Sequence, residues 1–266
     1  MNSEILKSPI VLLTDFGTND PYVGVMKGVI TGRAPRATLI DLSHGIPPQN
    51  IRAAAFCLKS SVSFFPKNSI FVSIVDPGVG SQRKILWARS QNHQFLAPDN
   101  GILSWIPDPL IEIRAVSNQD VMLSTISSTF HGRDIFAPVS AALRMGFSPS
   151  RLGPKVKPSV HIPFPEPVLR KNTLIGEILY VDRFGNAVTN LKQTNVFRAN
   201  KIFFRKKDLG FPRDHYTQAP QGKPLALIGS FGFLELSVNG GNFADRFSVR
   251  IGEKIKCPLN QAAKKN

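Results

Sequence analysis

Ile70-Phe71-Val72-Ser73-Ile74-Val75-Asp76-Pro77-Gly78-Val79-Gly80-Ser81-Gln82-Arg83 is the stretch from which the fold is read. Ile70, Phe71, Val72, Ile74 and Val75 form an apolar, largely β-branched run of the kind that becomes a buried strand. The run stops at an acid, a proline and two glycines, punctuation that ends a strand in a loop of unusual backbone angles. In an open α/β sheet, ligands sit beyond the carboxyl ends of the strands, so Asp76 is delivered to the working face. Arg83 is close enough in sequence to fold back onto it. Taken alone, Asp-Pro-Gly-x-Gly reads first as a loop salt bridge after a strand.

Upstream, Ile10-Val11-Leu12-Leu13 is a buried-type strand ending at Thr14-Asp15-Phe16-Gly17-Thr18-Asn19-Asp20-Pro21. Residues 22–31 carry Val25, Met26, Val29 and Ile30 at helical spacing, with Pro21 suited to a first turn. A second strand over residues 37–42, then Ser43-His44-Gly45 and a helix over about residues 49–64, lead back to the strand before Asp76. Strand, helix, strand, helix, strand predicts a Rossmann-like α/β domain with a mostly parallel sheet covered on both faces. Asp15 then shares the rim with Asp76, and its two oxygens suit sugar hydroxyls. Asp20 stands where an acid caps a helix and meets its dipole.

Downstream, residues 85–89 and 94–97 read as strands, and Pro98-Asp99-Asn100-Gly101 as a turn whose chemistry alone explains Asp99 and Asn100. Ser128-Thr129-Phe130-His131-Gly132-Arg133-Asp134 precedes a helical pattern, with Ser128 or Thr129 as the expected cap. His131 would sit at that helix start, a place where an imidazole stays neutral and exchanges protons. Pro154, Pro158, Pro163, Pro165 and Pro167 mark an extended connection, which divides the chain into residues 1–165 and 166–266. Short β-type runs follow at 175–181, 187–191, 201–204, 225–228, 233–238 and 247–251, predicting a C-terminal all-β barrel-like domain. Within it, Asp182-Arg183-Phe184-Gly185-Asn186 is either a hairpin turn or part of a second site.

With 266 residues, 42% of them hydrophobic and 19% charged, the chain has the composition of an ordinary globular protein with a sizeable core. Its apolar runs are of strand length, which argues against a membrane span, and the N-terminus makes a poor signal peptide. Two cysteines, Cys57 and Cys257, offer neither a disulfide framework nor metal spacing, and the expected location is the cytoplasm. The net charge of +15 raises the question of nucleic acid. The basic residues are scattered, without the aromatic interleaving of RNA-binding modules, so nucleic acid is not the expected partner. The first strand is followed by no G-x-G-x-x-G loop, which speaks against a methyltransferase.

Five stretches in order carry a resemblance that none carries alone: Thr14-Asp15-Phe16-Gly17 with Asp20, Val75-Asp76-Pro77-Gly78-Val79-Gly80 with Arg83, Phe130-His131-Gly132-Arg133-Asp134, Asp182-Arg183-Phe184-Gly185-Asn186, and Gly229-Ser230-Phe231-Gly232-Phe233-Leu234-Glu235. Together they resemble the S-adenosylmethionine hydroxide adenosyltransferase family (SAM hydrolases), relatives of the fluorinase and chlorinase enzymes. The likeness runs from Ile10 to about Ile251.

The resemblance implies hydrolysis of S-adenosyl-L-methionine to adenosine and L-methionine, with no cofactor and no metal. It implies a homotrimer with active sites between one subunit's N-terminal domain and a neighbour's C-terminal domain. Asp76, Arg83 and His131 are the implied catalytic set. Asp15 would bind the ribose and Asn186 the adenine edge, while Asp20, Asp182 and Ser230, with Glu235, would receive the methionine part. Retention of the catalytic set favours water over halide, since the halogenating relatives replace it. Phe231 and Phe243 depart from the family pattern and bear on substrate fit. A halide-dependent, chlorinase-like adenosyl transferase and a basic nucleic-acid-binding protein are the alternatives.

Overall fold

The computed structural model describes residues 8–199 and 201–259. These fall into two compact units, Met1–Pro163 and Phe164–Asn266, and the whole is a two-domain α/β fold.

The first unit is built from β1 (Ile10–Thr14), α1 (Tyr22–Arg33), β2 (Leu39–Ser43), α2 (Ile51–Ser61), β3 (Ile70–Ile74), β4 (Ile85–Arg89), β5 (Gln94–Pro98), β6 (Glu112–Ala115) and α3 (Ala137–Arg144). Its sheet has the order β2-β1-β3-β5-β4-β6; β2, β1, β3 and β5 are mutually parallel, and β4 runs against both of its neighbours. The chain leaves β1 toward β2 on one side and returns to β3 on the other. That reversal is a topological switch point, and it lies between the ends of β1 and β3. The right-handed crossover that parallel strands favour puts α1 and α2 on opposite faces, and among the described residues none of α2 enters the core that α1 and α3 close. Ile10, Leu12, Ile70, Val72 and Ile74 turn to one face, where Met26 and Ile30 of α1 and Val139 and Leu143 of α3 close the core. Phe71 and Phe95 stack on the other face with ring centroids 5.4 Å apart.

Three local expectations are corrected here. The helix expected over 49–64 is α-helical only to Ser61 and finishes in a 3-10 turn at Val62–Phe64, ahead of Pro66; its N-cap is Asn50, which accepts from Ala53 N–H at 3.0 Å. Neither Ser128 nor Thr129 caps α3. The helix opens instead through a π-turn at Gly132–Phe136, because Pro138 has no N–H for the Asp134 carbonyl, which accepts from Leu123 N–H at 2.9 Å. Asp20 caps nothing: Pro21 stands at the N-cap of α1, without a side-chain bond.

Asp99 does more than turn the chain. Buried, it accepts from the Ser159 N–H with both oxygens, at 3.0 and 2.9 Å, and so fastens the proline-rich connection to the first unit. Asn100 Nδ2 donates to the Val75 carbonyl at 2.7 Å, holding the chain immediately before Asp76.

The second unit contains β7 (Val168–Arg170), β8 (Thr173–Val181), β9 (Ala187–Lys192), α4 (Gln193–Val196), β10 (Phe203–Phe204), β11 (Lys207–Asp208), β12 (Pro224–Ile228), β13 (Phe233–Val238), α5 (Phe243–Phe247) and β14 (Lys254–Pro258). Its antiparallel sheet has the order β11-β10-β14-β8-β9-β13-β12, with β7 also on β8. The sheet curls around one core, in which Ile178, Leu191, Phe204, Leu234, Leu236 and Ile255 meet. The strand expected at 247–251 is absent. Asn242 caps α5 by accepting from Asp245 N–H at 2.8 Å, and Phe243 packs at a tilt against Phe247 one turn later, with centroids 4.5 Å apart. Ser248, at φ 45°, ends the helix, and the strand begins only at Lys254.

Candidate active site

Register places Thr14 of β1 opposite Ile74 of β3, so Asp15 and Asp76 leave adjacent strands at the switch point, each one or two residues past its strand. Asp76 is nearly buried, its side chain 5% exposed, and Arg83 at 10% lies against it. Arg83 Nε donates to Asp76 Oδ1 at 2.7 Å and a second guanidinium nitrogen donates to Oδ2, a two-point pairing that fixes the plane of the carboxylate. The same nitrogen reaches His131 Nδ1 at 3.0 Å. A guanidinium only donates, so His131 Nδ1 presents its lone pair to Arg83 and the neutral ring carries its proton on Nε2. Desolvation and the Arg83 charge hold the His131 pKa below its ordinary value of 6.5, outweighing the opposite pull of Asp76 and Asp134.

The loop geometry is set by Gly80. At φ +79° it adopts a conformation that side chains resist, and a Cβ there would lie 2.2 Å from the Ser128 carbonyl oxygen. The loop carrying Asp76 and Arg83 is thus pressed against the segment that leads into His131. Around the start of that segment Phe16, Tyr22 and Phe130 form a cluster with centroids 5.1 to 6.1 Å apart.

Asp15 and Asp20 lie on the β1–α1 loop. Asp15 Oδ2 accepts from Gln49 N–H at 2.7 Å, and Asp20 is exposed. Neither is bonded to the Asp76–Arg83–His131 set.

In the second unit Asp182, Asn186, Ser230 and Glu235 line one cavity of about 360 Å³, together with Phe184, Tyr216 and Phe231. Asp182 is committed to its own hairpin: Oδ1 accepts from Phe184 N–H at 2.9 Å and Asn186 N–H at 2.8 Å, and Oδ2 from Asn186 Nδ2 at 2.9 Å. Gly185, at φ +81°, makes the turn, and a Cβ on it would strike the Asn242 side chain at 1.9 Å. Glu235 Oε1 accepts from Tyr216 Oη at 2.7 Å and Ser237 Oγ at 2.9 Å. Burial first, and then the bond to Glu235 and the charges of Glu235 and Asp182, push the Tyr216 pKa up. Phe231 is half exposed at the cavity, whereas Phe243 is fully buried between Phe204 and Phe247. Phe243 is therefore a core residue of its unit.

Among the described residues no group of His, Cys, Asp and Glu is arranged to hold a metal ion, and no helix is long and apolar enough to cross a membrane.

Residues 10–153 match the model of the SAM hydroxide adenosyltransferase N-terminal domain, and residues 176–256 that of the C-terminal domain. The chain belongs to the SAM hydroxide adenosyltransferase family. Curated relatives include an (R)-S-adenosyl-L-methionine hydrolase of Thermus thermophilus, 35% identical with 93% of this chain and 98% of the relative covered. Another of the same name, from Salinispora arenicola, is 34% identical with 93% and 96% covered. Fluorinases match more distantly, at 22 to 25% identity. A crystal structure of an uncharacterized conserved protein from Thermotoga maritima superposes with a TM-score of 0.86 at 34% identity, covering 93% of this chain and 98% of that one.

In this member of the SAM hydroxide adenosyltransferase family, sequence reasoning passed over Thr14, Tyr216 and Ser237. Thr14 stands inside a quoted motif, but a threonine at a strand end carries no distinctive pattern. Tyr216 lies in Asp214-His215-Tyr216, a polar run whose nearness to Glu235 is created only by folding.

Proposed function

We propose that the protein hydrolyses S-adenosyl-L-methionine by attack of water at the ribose C5′, releasing adenosine and L-methionine. The observation that carries this reading is the Asp76–Arg83–His131 arrangement at the switch point. The curated relatives named above support it. Their names give the configuration of methionine as L and add a separate R, which we read as the sulfonium centre; the R epimer is the substrate proposed here.

Oxygen bonds to C5′ as the C5′–S bond breaks, and the electron pair passes to sulfur, leaving the neutral thioether of methionine. That leaving group needs no acid. Water gains positive charge as it bonds and must lose a proton. His131 Nδ1 is occupied by Arg83, so its Nε2–H serves as a donor that orients the water oxygen. Asp76 keeps lone pairs beyond those facing Arg83, and we assign it as the proton acceptor. Holding the nucleophile in line supplies several kcal/mol of the barrier by orientation alone, on the order of the gains of other positioned reactions. The chemistry invokes no cofactor, because the sulfonium carries its own leaving group.

We assign Asp15 to the ribose hydroxyls and Asn186 to the adenine edge. Asp20, Asp182 and Ser230 are assigned to the methionine end, with Glu235 acting through Tyr216. The carboxylates of the second cavity suit the sulfonium and ammonium charges despite the basic chain as a whole. The finer architecture belongs to the same proposal: a Rossmann-like first domain, a barrel-like second domain, a homotrimer and a cytoplasmic location.

Incubation of the purified protein with each sulfonium epimer in oxygen-18 water, followed by mass spectrometry of the nucleoside, tests the reaction. Adenosine carrying the heavy oxygen, lost in Asp76→Ala, is the expected result. A 5′-halogenated nucleoside appearing with added chloride would replace hydrolysis by halide transfer.

A further inference from the structure

Asp15 is not held by its own loop. The β1–α1 loop is fastened to the loop between β2 and α2 at three points, and residue 44 makes two of them. His44 Nδ1 lies 2.8 Å from Thr14 Oγ1, and the His44 carbonyl accepts from Gly17 N–H at 2.8 Å. The third is the bond from Gln49 N–H to Asp15 Oδ2, made by a residue at φ +62° that a non-glycine seldom adopts.

The hydrogens of this chain follow from its ends. His44 Nε2 lies 3.0 Å from Asp41 Oδ1, off the line of a good hydrogen bond but close enough for the carboxylate to fix the ring proton there. Lys27 Nζ meets the other Asp41 oxygen at 2.6 Å. Burial opposes the charge on Asp41, yet the Lys27 and His44 contacts prevail and hold its pKa below the ordinary carboxylate value. With its proton on Nε2, His44 accepts at Nδ1. The Thr14 hydroxyl therefore donates to His44 while accepting from Phe16 N–H at 3.2 Å. The His44 ring, the Thr14 hydroxyl and the Phe16 amide thus form one directed chain, with the Asp41–Lys27 pair beside the ring, and it brackets Asp15 between Thr14 and Phe16.

Asp, His and Thr in this order mimic a nucleophile relay. Thr14 is fully buried and its oxygen is engaged by the Phe16 amide, so no substrate reaches it. The chain orients.

We propose that His44 is a positioning residue that aims the Asp15 carboxylate at the ribose hydroxyls. The inference rests on the assignment of Asp15 to the ribose. Without the His44 side chain, the Thr14 hydroxyl loses its acceptor, and the β1–α1 loop keeps only the two fastenings made by the His44 carbonyl and the Gln49 N–H.

The test compares affinities for adenosine and 2′,3′-dideoxyadenosine, measured by calorimetry on the full chain, in the wild type, Asp15→Ala, His44→Ala and His44→Asn. Asp15→Ala and His44→Ala should each weaken adenosine by about tenfold, the scale of one well-placed hydrogen bond. Both should leave dideoxyadenosine unchanged. His44→Asn, whose Oδ1 stands near the Nδ1 position, should recover most of the loss, and in turnover the His44→Ala effect should fall on KM rather than kcat. If Asp15→Ala discriminates between the two nucleosides and His44→Ala does not, the positioning role is overturned while the ribose assignment stands. If Asp15→Ala itself shows no discrimination, the ribose assignment falls and this inference falls with it. Equal weakening of both nucleosides by His44→Ala and His44→Asn would reduce His44 to a general structural role and overturn the proposal.

Discussion

Arg83 and His131 meet donor to lone pair, 3.0 Å apart, in an arrangement that only a neutral imidazole sustains. Protonating His131 would set a second N–H against a guanidinium that has no acceptor to offer. The contact therefore ties the charge state of one residue to the geometry of the other two.

The pH dependence follows. The folded-state pKa of His131 lies below the ordinary 6.5, so between those two values the unfolded chain binds more protons than the folded one. The stability that His131 contributes is present above about pH 6.5 and is lost as pH falls through its lowered pKa. Activity should hold below pH 6.5 and then fall along the same limb. A kcat/KM profile of wild type beside His131→Asn checks this; an unchanged acid limb in the variant would assign that limb to another group.

Asp76→Asn keeps the shape of the side chain and removes its charge and basicity. Turnover should drop by about 10²–10⁴-fold, the usual contribution of a positioned acid or base, while adenosine affinity stays within about twofold. Arg83→Lys should also be impaired, because an ammonium cannot pair with two carboxylate oxygens and a ring nitrogen through one planar fork. Initial rates by chromatography of adenosine give both numbers.

Gly80→Ala changes no group assigned to the chemistry. Its Cβ would meet the Ser128 carbonyl at 2.2 Å, forcing the Asp76–Arg83 loop away from the His131 segment. A displacement near 1 Å is enough for a loss of about 10²-fold, so a large kcat defect is expected. Full activity in this variant would mean that the two loops are not held in register by the close approach.

Asp182→Ala should destabilise the ligand-free protein. Three donors on the hairpin, the N–H groups of Phe184 and Asn186 and the Asn186 amide, lose their acceptor at once. One of these bonds is exposed and two are part-buried, so their loss costs about 0.5–1.5 kcal/mol per part-buried bond, readable as a fall in Tm by calorimetry without substrate. A residue serving only to bind methionine would leave that Tm unchanged.

The alternation of strands and helices up to Asp76 was legible because each element has its own hydrophobic period, and β1, α1, β3 and β5 form where that pattern places them. Asp76, Arg83 and His131 were legible as residue types in ordered motifs. The opening of α3 was not: Pro138 suits a helix start by its fixed φ, yet its missing N–H shifts the turn before it to a π geometry. Residues 247–251 looked like a strand because a short apolar run has no period long enough to tell strand from helix, and the Asn242 cap decided for α5.

By itself the sequence determined the elements, the switch in texture after the prolines, and the motifs that mark the family, all of which depend on residues near one another along the chain. Only the tertiary structure decided what each of those residues touches. Arg83 and His131 are 48 positions apart and Thr14 and His44 are 30. Glu235 meets a tyrosine 19 residues away, in a 3-10 turn with no motif of its own. Contacts at such separations are selected by strand order and core packing, in which every element takes part, so no local pattern records them.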